Sequence, residues 1–189
     1  MKTFHFFSPQ PPDLLSLTIE GERLRLVAIS DEFEQDIFKE FTSKITLYMF
    51  PSPAEDIEGT RSFIVESRRS MQAGNNLLFA ILSKKGEFIG CCGLHGEGKV
   101  TTPELGIWLK KSVHGSGYGR EAIQTLVNWS RNNIYFDYFI YPVDRKNIAS
   151  CKIPESLGGQ IVGELKVQTP NGKILDEVVY KIDRINSII

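Results

Sequence analysis

The chain predicts a mixed α/β fold arranged around one central sheet, and three observations predict it. Apolar residues recur every second position in some segments and every three to four in others, with Gly, Pro or Asn clusters between them. The resulting order is strand, two helices, a run of strands, helix, strand, helix, hairpin. At 189 residues, with 41% hydrophobic and 24% charged residues, the chain suits one domain with an ordinary core.

Residues 1–16 hold Pro9, Pro11 and Pro12 and read as an irregular leader, leaving 17–189 as a single domain. Residues 17–28 form a first strand or hairpin, because Arg23-Leu24-Arg25-Leu26 alternates cleanly. Ser30-Asp31-Glu32 supplies an N-cap and an acidic first turn for a helix carrying Phe33, Ile37, Phe38 and Phe41. A second helix fits 54–73, with Ile57, Phe63, Ile64 and Met71 on one side and Gly74 as its stop. Leu77–Leu82 and Phe88–Leu94 form an antiparallel hairpin around Lys84-Lys85-Gly86-Glu87, followed by a loop at His95–Lys99. Glu104–Leu109 is a strand with Leu105, Ile107 and Leu109 on one face and Glu104, Gly106 and Trp108 on the other. A helix follows at 118–132, then a strand at Ile134–Val143 and a short helix at Asn147–Leu157 ended by Gly158-Gly159. Ile161–Val167 and Ile174–Ile182 flank an Asn-Gly turn and close the chain as a hairpin.

A net charge of −1 argues against a dedicated nucleic-acid binder, which would show a basic excess or stripe. The longest apolar runs are too short to span a bilayer. The N-terminus lacks a continuous apolar core and a small-residue cleavage site, so a cytoplasmic protein is expected. Cys92 lies three residues before His95, a spacing open to a thiol nucleophile and its base. Cys91, Cys92 and Cys151 read instead as small buried apolar residues in a reducing compartment. His5, His95 and His114 are too scattered for a zinc site, so no metal is implied.

The most informative segment is Glu104–Arg120, where a strand runs into glycines at 115, 117 and 119 and a helix begins at once. Glycine permits positive φ and lets a ligand approach the backbone, and a helix's first turn presents unpaired N–H groups and partial positive charge. Such a turn is an anion cradle made of amides. It is no P-loop, since Arg120-Glu121 follows Gly119 where Lys-Ser/Thr is needed. Nor does it match the dinucleotide fingerprint, because Arg120 occupies the third glycine's place. A plain tight connection is the other reading.

His114-Gly115-Ser116-Gly117-Tyr118-Gly119 resembles the acetyl-CoA-binding motif of the GNAT N-acetyltransferase superfamily, Gln/Arg-x-x-Gly-x-Gly/Ala. Asn147-Ile-Ala-Ser150…Glu155-Ser-Leu157-Gly158 resembles the Asn-x-x-Ser…Glu-x-Leu-Gly signature of its RimJ/RimL-like branch, the ribosomal-protein N-terminal acetyltransferases. The resemblance spans most of the chain and implies the GNAT fold, a mostly antiparallel twisted sheet flanked by helices. Three positions depart from the pattern: His114 replaces Gln/Arg, Pro154 lies inside the second motif's helix, and Gly159 replaces an aromatic residue.

The resemblance implies acetyl-CoA as cosubstrate and a primary amine as acceptor, a peptide or protein N-terminus or a small molecule, in a ternary complex with direct attack. It implies that Gly115, Ser116, Gly117, Tyr118, Gly119 and Arg120, with His114, hold the pyrophosphate, while Ile107, Trp108, Leu109 and Val113 bind pantetheine. Asn147 would cap its helix and contact the pantetheine arm. Glu104 is the candidate base acting through water, and Ser150 the candidate acid at the coenzyme sulfur; a solvated strand carboxylate and a locally bonded serine are the plainer readings. Tyr118 and Tyr141 read as packing, and His95 as a surface histidine beside the substrate's path. Substrate choice would fall to Phe33–Phe41, Ile45–Phe50 and the hairpin at 167–174, which are apolar and aromatic but not conspicuously acidic. A non-catalytic acyl-CoA-binding module and an interaction protein with a merely structural glycine turn stay open. Homodimerisation through the sheet edge or late hairpin would be allowed, but nothing in the sequence supports it.

Overall fold

The computed structural model describes residues 3–184. In chain order its strands are β1 (His5–Phe6), β2 (Thr18–Glu20), β3 (Leu24–Ala28), β4 (Asn76–Ser83), β5 (Phe88–His95), β6 (Glu104–Leu109), β7 (Ile134–Tyr135), β8 (Tyr138–Asp144), β9 (Gln160–Gln168) and β10 (Ile174–Asp183). Its α-helices are α1 (Glu34–Glu40), α2 (Ile57–Gln72), α3 (Tyr118–Asn133) and α4 (Ile148–Ser156), with short 3-10 turns at Asp31–Phe33, Thr46–Tyr48 and Lys111–Val113. Eight strands form one sheet in the order β2-β3-β4-β5-β6-β8-β10-β9. Every neighbouring pair is antiparallel except β6 and β8. The expected mixed, mostly antiparallel sheet flanked by helices is what the chain forms.

Two apolar layers follow from strand alternation. On one face Leu77, Phe79, Leu94, Leu105, Phe139 and Tyr141 pack beneath α3, which contributes Ala122, Ile123, Leu126 and Val127. On the other, Leu78, Ala80, Leu82 and Cys91 meet Ile37 of α1 and Ile64 and Met71 of α2. Ile107 and Leu109 border the first layer and Trp108 the second, as the alternation of β6 predicts.

Several elements depart from expectation. The leader is not wholly irregular: β1 pairs with β7, and Phe4 is buried with its amide donating to Gly74 O at 2.8 Å. Its apolar residues close one end of the α3-side core, which outweighs the flexibility that prolines suggest. The predicted strand at Ile134–Val143 breaks in two, because Phe136 turns inward against Phe139, 4.1 Å between ring centroids, and Asp137 N bonds Thr101 O at 2.7 Å. The helix over 57–72 starts at the cap Asp56, whose carboxylate accepts from Gly59 N at 2.9 Å. Phe63 lies on its outer side, 43% exposed, against the expected inward place. Ser30 precedes a 3-10 turn without a side-chain cap bond.

One feature of the sheet positions the site. Parallel β6 and β8 share a single register pair, Glu104 with Ile140, and beyond it β6 keeps only β5 as neighbour. The sheet therefore parts after Glu104. The helices α1 and α2 cover β4 and β5 on their face, but Ile140 and Pro142 of β8 and Glu177 and Val179 of β10 stay half-exposed there. A cleft floored by β6, β8 and β10 results.

Candidate active site

At the far end of β6 the backbone turns through Lys111–Val113 into the glycine segment. Gly115 and Gly117 take φ of 79° and 81°, in the left-handed region that costs other residues about 1–2 kcal/mol. A Cβ on Gly115 would meet nothing within 4 Å, so backbone conformation and not crowding demands glycine there. Gly119 differs: it is buried, and its Cβ would sit 3.1 Å from Ile153 of α4. It lets α3 approach α4 and β6 closely.

The amides of Gly115, Gly117, Tyr118, Gly119 and Arg120 find no acceptor among the described residues, whereas Ser116 N reaches Val113 O at 3.4 Å. Residues 114–117 are exposed, so the Gly115 and Gly117 donors face solvent at the positive end of a 16-residue helix. Residues of this kind fit a phosphate ligand.

Sequence reasoning missed the brace behind this turn. Arg23, just before β3, donates Nε to Glu121 Oε2 at 2.7 Å and Nη1 to Ser116 O at 3.1 Å. Its amide donates to Glu121 Oε1 at 2.6 Å, and its guanidinium lies 4.8 Å over the Tyr118 ring. Tyr118 is thus part of this brace. Partners 98 residues apart give no local signal. His114 Nε2 bonds Leu109 O at 2.9 Å, so the ring ties the turn to the strand end.

Asn147 caps α4, its Oδ1 accepting from Ser150 N at 3.3 Å, as expected. Pro154 sits inside α4, and Gly159 N reaches Pro154 O at 2.8 Å. Tyr141 does more than pack: its hydroxyl shares a 2.8 Å hydrogen bond with Ser150 Oγ. Burial pushes the Tyr141 phenol well above its usual range, so it remains a neutral hydroxyl.

On the opposite face stands Glu104, half-buried. Burial pushes its carboxyl up, the charge of Glu177 adds to this, and Lys99 opposes it. Glu177 is itself pushed up by burial and by Asp144, whose oxygens accept from the amides of Lys146 and Asp176 at 2.9 and 3.1 Å. His95 is not a loop histidine. It ends β5 directly opposite Glu104, partly buried, and burial holds its imidazole below the ordinary 6.5 against the pull of Glu97. Cys92 points to the other face, and burial raises the Cys91 and Cys92 thiols, which removes the thiol nucleophile and base from consideration. Among the described residues no three His, Cys, Asp or Glu side chains group to hold a metal ion.

The segments expected to wall the cleft are joined. Lys173 Nζ donates to the carbonyls of Thr46, Leu47 and Met49 at 2.9, 2.7 and 3.1 Å, and Asn171 Nδ2 to Ser52 Oγ at 3.2 Å. Two surface depressions lie elsewhere, between α1 and α2 and between the β2–β3 turn and α3. They are lined largely by ion-paired or solvated side chains, and the open amide turn carries the stronger chemistry.

Comparison with known proteins agrees with this geometry. Residues 23–160 match the family described as the acetyltransferase (GNAT) domain. An uncharacterized N-acetyltransferase, p20, of Bacillus licheniformis is 25% identical over 170 residues, 87% of this chain and 95% of that protein. The acetyl transferase of Salmonella typhimurium that modifies the N-terminal serine of ribosomal protein L7/L12 superposes with a TM-score of 0.78 at 19% identity, covering 90% of this chain and 100% of that one. Spermidine N-acetyltransferase of Vibrio cholerae, solved with CoA and spermine, gives 0.73 at 18% identity over 86% and 96% of the two chains. With a family match over most of its length and an open amide turn where a parted sheet meets a helix, the chain belongs to the GNAT acetyltransferase family and is an acetyl-CoA-dependent N-acetyltransferase.

Proposed function

We propose that the chain transfers an acetyl group to a primary amine, a peptide or protein N-terminus in preference to a side-chain lysine, by direct attack in a ternary complex. The observation that carries this reading is the row of five unpaired amides at 115–120, opening beside the divergence of β6 from β8. Acetyl-CoA supplies an activated thioester, and the chain's residues bind, orient and move protons. The amides hold the pyrophosphate, and the partnerless edge of β6 at Ile107–Leu109, with Val113 beyond it, receives the pantetheine arm.

Ser150 Oγ protonates the departing sulfur, and Tyr141 fixes the direction of that hydroxyl. Glu104 serves on the cleft side, where its charge draws the ammonium that must lose a proton before it can attack. At pH 7 an α-amine is neutral in roughly a tenth of molecules and a lysine amine in about one in 2,500, so a weak base suffices for the former. The half-exposed Ile140, Pro142 and Glu177 supply a mixed apolar and acidic floor suited to a peptide's first residue and its ammonium. Three unpaired, buried cysteines suit a reducing compartment and hence the cytoplasm.

Free-thiol release from acetyl-CoA across peptide N-termini, lysine peptides, amino acids and polyamines tests the reading. Turnover strongest on peptide N-termini is expected. Turnover confined to polyamines would overturn the acceptor assignment, and none on any amine would overturn the reading itself.

A further inference from the structure

We propose that His95 is a catalytic residue: its Nε2 takes the proton of the attacking ammonium, and Glu104, paired with it across β5 and β6, adds negative charge on the same face for the imidazolium so formed. The proposal rests on the acetyl-transfer reading above and deepens it.

Three observations carry it. The first is place. A Cβ on Gly106 would lie 3.0 Å from His95 Nε2, and one on Gly93 3.2 Å, so the ring lies over this glycine pair. Gly93 and Gly106 are register partners across β5 and β6. Gly106 stands two residues past Glu104, the last residue of β6 registered with β8, so the ring sits at the mouth of the parted sheet on its cleft side. The second is availability. Neither ring nitrogen has a hydrogen-bond partner among the described residues, although the side chain is partly buried. The ring performs no structural bonding, and two missing Cβ atoms clear the space around it.

The third is company. Antiparallel partners carry their Cβ atoms about 4.5–5.5 Å apart, which puts Glu104 on the same face of the sheet as His95, one strand away. Glu97 from the following loop adds negative charge, Glu177 of β10 and Lys99 act on Glu104, and Asn76 of β4, His95's other cross-strand partner, is uncharged. Burial keeps the imidazole in its free-base form at neutral pH, the form a proton acceptor needs.

The step balances. One ammonium proton passes to His95 Nε2, the amine nitrogen bonds the acetyl carbon, and the carbon–sulfur bond breaks with its electron pair on sulfur. A second proton, shed by the acetylated nitrogen, replaces the one that Ser150 gives the thiolate. His95 then releases its proton to solvent, so that amide, free thiol and one proton are the products.

The dependence on acceptor basicity distinguishes this role from a structural one. His95→Gln is compared with wild type on a peptide α-amine and on trifluoroethylamine, which is already uncharged at neutral pH. Loss of the imidazole is expected to lower kcat/KM about 10²-fold on the α-amine and little on the uncharged amine. Gly106→Ala, which pushes on the ring while leaving it present, is expected to show the same selective loss. Equal losses on both amines, or none on either, overturn the assignment of His95 while leaving acetyl transfer intact. A wild-type protein that acetylates neither amine overturns the acetyl-transfer reading instead.

Discussion

Ser150 shows how a single side chain changes meaning with its partner. An exposed first-turn serine would bond its own helix, but here a buried tyrosine from the neighbouring strand holds the hydroxyl. We therefore predict that Tyr141→Phe lowers kcat while the dissociation constant for acetyl-CoA, read by calorimetry, stays the same. The same change should cost about 1 kcal/mol of stability, the net worth of one hydrogen bond, in denaturant titration. Ser150→Ala should lower kcat at least as much, and the double variant little further, because the two hydroxyls act as one unit. At Gly117 the demand is on the backbone. With φ at 81°, Gly117→Ala should destabilise by ~1 kcal/mol and weaken acetyl-CoA binding by more than a surface alanine would.

Elements hold the site through a few long-range clasps. Arg23 joins β3 to the first turn of α3, and Lys173 joins the β9–β10 turn to the segment at 46–49. Both clasps cap carbonyls or a helix terminus that would otherwise face solvent alone. Lys173→Met removes three charge-assisted bonds from one wall of the cleft, and we expect a higher acceptor KM with acetyl-CoA affinity unchanged, measured by steady-state kinetics against each substrate. Arg23→Ala should do the reverse, weakening coenzyme affinity with little change in acceptor KM. At the sheet's outer edge β9 exposes Ile161, Val162 and Leu165, and it contributes little to the core.

Across the whole molecule, the placement of ionisable groups sets how stability follows pH. Glu104 and Glu177 have folded pKa values above the ordinary 4.5, so the folded state binds more protons than the unfolded chain in the window above 4.5. Their contribution falls as pH rises through that window. His95 acts in the opposite sense: held below 6.5, it lets stability drop as pH falls beneath that value. Glu104→Gln should therefore raise Tm relative to wild type at pH 7 more than at pH 4, while His95→Gln should lessen the loss of Tm on acidification from 7 to 5. Differential scanning calorimetry across that range checks both. That Glu104 and His95 are each unfavourable to folding in their charged forms follows from burying charge beside a cleft.

Strands and helices were legible because their apolar period is local. Leu105, Ile107 and Leu109 announce a face, and Ala122, Ile123, Leu126 and Val127 a helix side, whatever lies elsewhere in the chain. The glycine turn was legible for the same reason, since strand, glycines and helix are contiguous. The Phe63 side of α2 and the break at Phe136 were not legible, because local period does not reveal which partner will cover a residue. The parting of β6 from β8, the bond from Tyr141 to Ser150, the Arg23 brace and the seat of His95 opposite Glu104 were decided by tertiary structure alone. Each depends on register between segments joined by loops, and register is set by the energy of the whole packed sheet.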